Sequence, residues 1–304
     1  MIYTVTLNPS IDYIVHVDKL EIGGLNRMKQ DFKLPGGKGL NVSRILKRLD
    51  GQTTALGFLG GFTGDFIGKW IEQEGIINEF TSIKEDTRIN VKLKAGEETE
   101  INGLGPVVSD TEITDLKEKL AHITSEDIVV LSGSMAPSLP SDFYESLITI
   151  IKAKGADFII DTTGKALLEA IPHQPLLIKP NNHELAELFQ TSFSKTEDMF
   201  PYGEQLLKNG AKHVLISLGG DGSILFTKDG IYQANVPKGT LKNSVGSGDS
   251  MIAGFVGQFE KTKDPLEAFK YGVACGSATA FSDDLATAEK IRSLIPEVQI
   301  KKVK

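Results

Sequence analysis

The stretch NSVGSGDSMIAGF, Asn243 to Phe255, sets Gly246, Ser247, Gly248 and Asp249 directly ahead of Met251, Ile252, Phe255 and Val256, which recur at helical spacing. The first turn of a helix carries N–H groups without an intrahelical acceptor and a partial positive charge. Small residues there let an anion approach those donors. Gly246, Ser247 and Gly248 therefore form a candidate cradle for a phosphate or an oxyanion. Asp249 beside it can take the proton from an attacking hydroxyl. An acid at this position can also simply cap the helix, which on this fragment alone is the commoner role.

Three further stretches carry related chemistry. In PGGKGLNVSRIL, Gly36, Gly37 and Gly39 surround Lys38 just before a helix, and Asn41 lies in its first turn. The spacing is not that of a Walker loop. It suits a polyhydroxylated, phosphorylated ligand, or else an ordinary glycine-rich helix entry. In SLGGDGSILF, Ser217 to Phe226, the Gly-Gly-Asp-Gly run either lies along a nucleotide or turns a hairpin. In KPNNHE, Lys179 to Glu184, Asn181 and Glu184 stand three apart, the spacing of a helix face. Such a pair can organise a hydrated Mg²⁺ or build a capping box. The five histidines are scattered with no ligand spacing, which argues against zinc. Cys275 sits among small and apolar residues and reads as packed core.

The elements that hold these stretches alternate. Met1–Leu7, Ala55–Leu59, DIVVLSG, DFIID and LLIKPN read as strands, and HVLISLGGDGSILF as two strands about a tight turn. Residues 39–49, 64–74, 142–155 and 182–189 read as helices. Continuous apolar strands between amphipathic helices predict an α/β fold, a mostly parallel sheet covered on both faces. Such a sheet binds ligands at the carboxyl ends of its strands, where the four stretches fall. Tyr13–Lys33 and Thr81–Asn102 break the rhythm with strand-like patterns and a hairpin signal at Ala95-Gly96-Glu97. They predict a small separate β-sheet, either a lid or an extension of the main sheet's edge.

The bulk composition bounds the function. The 304 residues are 40% hydrophobic, enough for one large domain. A net charge of −7 argues against a nucleic-acid partner. No apolar run reaches the ~18 residues of a membrane span, and the opening MIYTVTLNPS does not pattern as a signal peptide. One cysteine allows no internal disulfide, and a cytoplasmic protein is expected.

The motifs GGKGLNVSRILKRL, KPNNHE and NSVGSGDSMIAGF, in this chain order and with similarity running from Met1 to about Ile295, resemble the PfkB group of ribokinase-like sugar kinases. Within it, TLNPSIDYIV, GGKGLNVSR, TRINVKL and SGSMAPSLP are most similar to enzymes acting on fructose 1-phosphate. The resemblance implies one ribokinase-like kinase domain, 1–304, with a β-sheet lid from about 13–33 and 81–102. It implies ATP and Mg²⁺, phosphorylation of fructose 1-phosphate at O6, and a homodimer through the lid. Tagatose 6-phosphate is the alternative substrate, and a non-catalytic sugar-phosphate sensor on the same fold is a remote one. The resemblance makes Asp249 the base and the backbone of Gly246, Ser247 and Gly248 the anion hole. Asp12, Gly36, Gly37, Lys38 and Asn41 would line the sugar. Arg88, with Lys38, Arg27 and Ser134, would meet its phosphate. Lys179, Asn181, Ser217, Gly219 and Gly222 would lie along the nucleotide, with Glu184 at the metal. The turn of this group is often Gly-Ala-Gly-Asp; Ser247 replaces the alanine, which leaves a backbone anion hole intact.

Overall fold

The computed structural model describes residues 1–304. The chain runs β1 (Ile2–Thr6), β2 (Ser10–His16), β3 (Gln30–Gly36), α1 (Lys38–Arg48), β4 (Thr53–Gly60), α2 (Gly61–Gln73), β5 (Ile77–Asn78) and β6 (Thr81–Ile83). It continues through β7 (Arg88–Ala95), β8 (Glu97–Asn102), α3 (Asp110–Leu120), β9 (Ile128–Ser132), α4 (Phe143–Ala153), β10 (Asp157–Asp161) and α5 (Gly164–Ala170). The last third holds β11 (Leu177–Ile178), α6 (Asn182–Leu188), α7 (Phe200–Lys208), β12 (Val214–Ser217), β13 (Ser223–Thr227) and β14 (Gly230–Ala234). It closes with α8 (Ser247–Thr262), α9 (Pro265–Ala280), α10 (Ala288–Leu294) and β15 (Ile300–Lys302). No helix is long and apolar enough to cross a membrane.

The main sheet has eleven strands in the order β15-β14-β13-β12-β11-β10-β9-β1-β4-β5, with β6 also on β4. From β5 to β12 the pairs are parallel; β12 to β15 pair antiparallel. The continuous apolar strands have a simple cause. In β9, Val129 and Leu131 point into a core with α3 and α4, while Ile128 and Val130 point into a core with α1, α8 and α9. Both faces are buried, so neither can carry polar residues. Chain order reverses at β1, which has β4 on one side and β9 on the other. A crevice above the carboxyl ends of strands follows at such a switch point.

The second sheet has four strands, β3-β2-β7-β8, with β2 and β7 parallel and the outer pairs antiparallel. The expected turn at Gly96 joins β7 to β8, with φ 85° at that glycine. The stretch from Thr81 divides between the sheets. Thr81–Ile83 pairs with β4 in the main body, where Thr81 and Ile83 are buried and the Thr81 hydroxyl donates to Asp115 of α3 at 2.6 Å. Three residues are too short for alternation to assign a strand to either sheet. Residues 17–29 of the other expected segment form no strand.

Helices α8 and α9 pack so closely that backbone meets backbone. A Cβ on Gly254 would stand 2.5 Å from the Tyr271 carbonyl oxygen, and one on Gly272 would stand 2.8 Å from that of Met251. Cys275 is buried at this contact, and burial raises its thiol pKa, as a packed-core residue requires. Gly254→Val should therefore destabilise the protein by about 1–3 kcal/mol or more in urea unfolding, because α8 cannot move without moving the site it begins. An unchanged unfolding midpoint would mean the helices separate freely.

Candidate active site

A cavity of about 1350 Å³ opens above the carboxyl ends of β1, β9, β10 and β12. Asp12, Gly37, Lys38, Asn41, Arg88, Ser134, Lys179, Asn181, Glu184, Ser217, Gly219, Gly222 and the turn Gly246–Asp249 all line it. Gly36 stands behind Asp12, where a Cβ would lie 2.5 Å from the Asp12 carboxylate. Arg27 falls outside the cavity on the exposed 17–29 stretch. Its distance in sequence from a regular strand left nothing to fix where its side chain would point.

At the mouth of α8 the capping residue is Gly246, with φ 76°, a conformation glycine adopts without strain. Asp249 does not cap this helix. Its buried carboxylate accepts from Asn41 Nδ2 of α1 at 2.8 Å. The Ser247 amide is already bonded to Ser244, whereas the amides of Gly248 and Asp249 have no acceptor in the protein. Those two amides are the free donors of the turn. Burial, then the negative charge of Asp161, pushes the Asp249 carboxyl up to about 6, against the opposing pull of Asn41, Lys38 and Lys179.

Asp161, at the end of β10, is the residue sequence reasoning missed. Its carboxylate is buried and accepts from Lys38 Nζ at 2.8 Å, with Lys179 Nζ at 3.5 Å on its other oxygen. Burial alone would raise its pKa, but the two lysines outweigh that and hold it below the usual carboxylate range. A signal was present: an acid ending a buried apolar strand needs a partner. Lys38 is thereby held among Asp161, Asp249 and Glu184, and its pKa is raised despite burial. It shares no partner with Arg88. Both residues line the cavity, with Lys38 beside Asp161 and Asp249.

Arg88 lies where the two sheets meet. Its Nε and Nη2 donate to the Asn8 carbonyl at 3.2 and 2.9 Å, and Nη1 donates to the Gly103 carbonyl at 2.9 Å. Three of five donors fix the guanidinium and two remain for a ligand. Asp12 accepts from Ser10 Oγ at 2.8 Å and Asn90 Nδ2 at 3.1 Å, with Lys92 Nζ at 3.5 Å.

At the other end, Asn181 and Glu184 do form a capping box: each side chain accepts the other's amide at 2.8 Å. This occupies one Glu184 oxygen and leaves the other for the cavity. No group of three acidic, histidine or cysteine side chains could enclose a metal. One free carboxylate oxygen fits Mg²⁺, which keeps several waters and takes the rest of its ligands from phosphates. The Gly-Gly-Asp-Gly run turns the β12–β13 hairpin and also lines the cavity. Five buried side-chain polar atoms lack a protein partner, in Thr6, Asn8, Ser132, Ser223 and Ser247, and all five residues line this cavity. Orphaned polar atoms are costly. Their clustering leaves the cavity wall rich in unpartnered donors and acceptors.

The raised carboxyl has a measurable effect on folding. A group whose pKa is above its ordinary 3.8 in the folded state stabilises fully below that value, and loses this as pH rises to about 6. The rise amounts to roughly 3 kcal/mol at 1.36 kcal/mol per unit. Asp249→Asn should thus be more stable than the parent at pH 8 and no more stable at pH 4, by thermal unfolding. Equal gains at both pH values would deny the raised carboxyl.

Comparison with known proteins agrees with this geometry. Residues 5–291 match the model of the pfkB family carbohydrate kinases. The chain is 52% identical to a 1-phosphofructokinase of Bacillus subtilis over 99% of both chains. It is 36% identical to a D-tagatose-1-phosphate kinase of Bacillus licheniformis, again over 99% of both. A tetrameric inhibited form of phosphofructokinase-2 from Escherichia coli superposes with a TM-score of 0.90 at 28% identity, covering 97% of this chain and 98% of that one. The chain belongs to the pfkB family of carbohydrate kinases.

Proposed function

We propose that this kinase transfers the γ-phosphoryl of ATP to O6 of fructose 1-phosphate, giving fructose 1,6-bisphosphate and ADP. The observation that carries the transfer is Asp249: a buried carboxylate with a pKa of about 6, beside two free amides and flanked by Lys38 and Lys179. A base near neutrality suits proton removal from a hydroxyl. The amides and both ammonium groups neutralise charge on the phosphoryl as it passes. Arg88 offers its two free N–H groups to the phosphate on the sugar, at the end where the sheets meet. Asp12 and Asn41 accept and donate to sugar hydroxyls, and Ser134 adds a hydrogen bond. Lys179, Asn181, Ser217, Gly219 and Gly222 follow the nucleotide. Glu184 would hold Mg²⁺, which would supply charge neutralisation for the nucleotide phosphates. We place the reaction in the cytoplasm, where ATP is at hand. A sensor would have no use for a carboxyl held near neutrality at two free amides.

The choice of fructose 1-phosphate rests on the 52% identical relative. The second reading is tagatose 1-phosphate, favoured by the 36% relative. It keeps the phosphate on O1 and inverts one ring hydroxyl, so Arg88 serves both. kcat/KM for fructose 1-phosphate should exceed that for tagatose 1-phosphate, tagatose 6-phosphate and fructose 6-phosphate. A tenfold preference for any of these, about 1.4 kcal/mol, would overturn the substrate. Asp249→Asn should lower kcat by ~10²-fold or more, and the parent's kcat should fall below about pH 6. Arg88→Ala should lower kcat/KM for the sugar phosphate at least ~10-fold with ATP affinity kept. A loss of ATP affinity instead would put Arg88 on the nucleotide side.

The chain is read as one kinase domain, 1–304, whose four-stranded sheet closes over the sugar and pairs with that of a second copy. Ile22, Leu25, Met28 and Phe32, at and between β2 and β3, are 95%, 77%, 54% and 44% exposed, an apolar surface that a like surface would bury. A closed lid also keeps water from accepting the phosphoryl. Light scattering should give a dimer, and Leu25→Asp should weaken it. Strands 10–16 and 88–95 should gain hydrogen-exchange protection with fructose 1-phosphate. A monomer would overturn the pairing, and unchanged exchange would overturn the lid.

A further inference from the structure

Arg44 lies on α1 one turn after Asn41, 2% exposed, and touches no part of the cavity that receives substrate. Burying a guanidinium this deeply is costly unless it is well paired, and an apolar side chain would fill the position at lower expense. Its partners come from elsewhere in the fold. Nε donates to Glu74, at the end of α2, at 3.2 and 3.3 Å, and Nη2 donates to Asp284 at 2.9 Å. Arg48, one turn on, donates to the carbonyls of Leu285 and Ala286, the latter at 3.0 Å. Two arginines of α1 thus grip the loop that follows α9.

That loop bears on the anion turn. The Leu285 side chain lies against Gly246, where a Cβ would approach it to 2.7 Å. Asn243 Nδ2 donates to the Asp283 carbonyl at 3.3 Å, and the Lys242 and Asn243 amides both donate to the Ala280 carbonyl. The Ala286 amide donates to Thr279, which shares a hydrogen bond with Ser250 beside Asp249. The ring closes through Asn41, whose amide holds Asp249 at 2.8 Å. A cavity of about 50 Å³ is lined by Asn41, Arg44, Val245, Gly246, Asp284 and Leu285 among others, so the ring is held by the Leu285–Gly246 contact and these polar links rather than by close packing throughout.

We propose that Arg44 is a positioning residue: through Asp284 it sets the anion turn, residues 246–249, against α1, so that the Asn41-held carboxylate of Asp249 and the turn's free amides keep their mutual geometry. This rests on phosphoryl transfer at Asp249 as read above. The role predicts an effect on turnover rather than on nucleotide binding, because Lys179, Asn181, Ser217, Gly219 and Gly222 stand on the segment between β11 and α6, on β12 and on its hairpin turn, to none of which Arg44 bonds. It also predicts that the loss is shared, since Arg44 and Asp284 act through one link.

The charged groups facing Asp249 are Lys38 from α1, Asp161 from β10 and Lys179 after β11. The charged residues of α9, Glu267 and Lys270, lie in its first half. Asn41 pulls the Asp249 pKa down. If the clamp loosens, that hydrogen bond weakens and the acid limb of kcat moves to higher pH. Arg44→Met and Asp284→Asn remove opposite charges. Direct electrostatics would move the limb up in the first and down in the second; a positioning role moves both up.

The experiment measures kcat, KM for ATP and the pH profile of kcat for the full-length parent, Arg44→Met, Asp284→Asn and the double variant, with fructose 1-phosphate. The expected result is a kcat loss of about tenfold or more in each single variant, an unchanged KM for ATP, no further loss in the double, and acid limbs shifted upward in both singles. Asp284 is 39% exposed, so its variant keeps the test alive should Arg44→Met fail to fold. Unchanged kcat in a folded variant, additive losses, or limbs moving in opposite directions would overturn the role. An inactive parent would instead overturn the transfer reading and leave no variant to compare.

Discussion

The buried carboxylate of Asp161 decides where the other charges of the site can stand. It ends a strand in the middle of the sheet, so it cannot move without the sheet. Two ammonium groups meet it from different elements, Lys38 from the first turn of α1 and Lys179 from the segment after β11. Without this negative charge, two lysines so close would repel each other. With it, both are held ready for a ligand bearing more negative charge than one carboxylate. The same charge acts on Asp249 with the opposite sign, adding to burial and keeping that carboxyl near neutrality. On the proposed reading, one acid would prepare both halves of a phosphoryl transfer: cations for the moving group and a base for the hydroxyl.

The backbone supplies what side chains cannot. Gly246 adopts a positive φ that turns the chain into α8 and leaves two amides free. The Lys179 ammonium comes close over Gly248, where a Cβ would approach it to 3.0 Å, so a side chain there would crowd the cation. The close packing of α8 on α9 then carries the turn's position into the core they share with α1, and the loop after α9 returns it to α1.

The fold was legible because its strands are buried on both faces. Apolar runs such as Ile128–Leu131 admit no other reading once helices flank them. The motif glycines and Asp249 were legible as a group because each run sits where a strand or a helix begins or ends. On its own fragment Asp249 looked like a cap, and only a partner 208 residues away in sequence, Asn41, separates the two roles. Asp161 was read as the last letter of a strand, since its meaning depends on two lysines 123 and 18 residues distant. The second sheet was legible by its broken rhythm, but Thr81–Ile83 was too short to assign by period. Arg44 stood inside a recognised motif with no visible task, because its partners lie on α2 and beyond α9.

The site is assembled at an energetic loss that the rest of the fold must offset. Five buried polar atoms have no partner in the protein, a carboxyl is held above its ordinary range, and a large cavity replaces packed core. Each such atom is costly unless something in the cavity pairs with it. The two cores on either side of the sheet, of 35 and 28 buried residues, supply the counterweight. A ligand that satisfies the orphans returns part of this free energy as binding. The interactions that order the site when empty, Asp161 with its lysines and Asn41 with Asp249, lie along its floor, where they hold geometry without filling the space that the ligand needs.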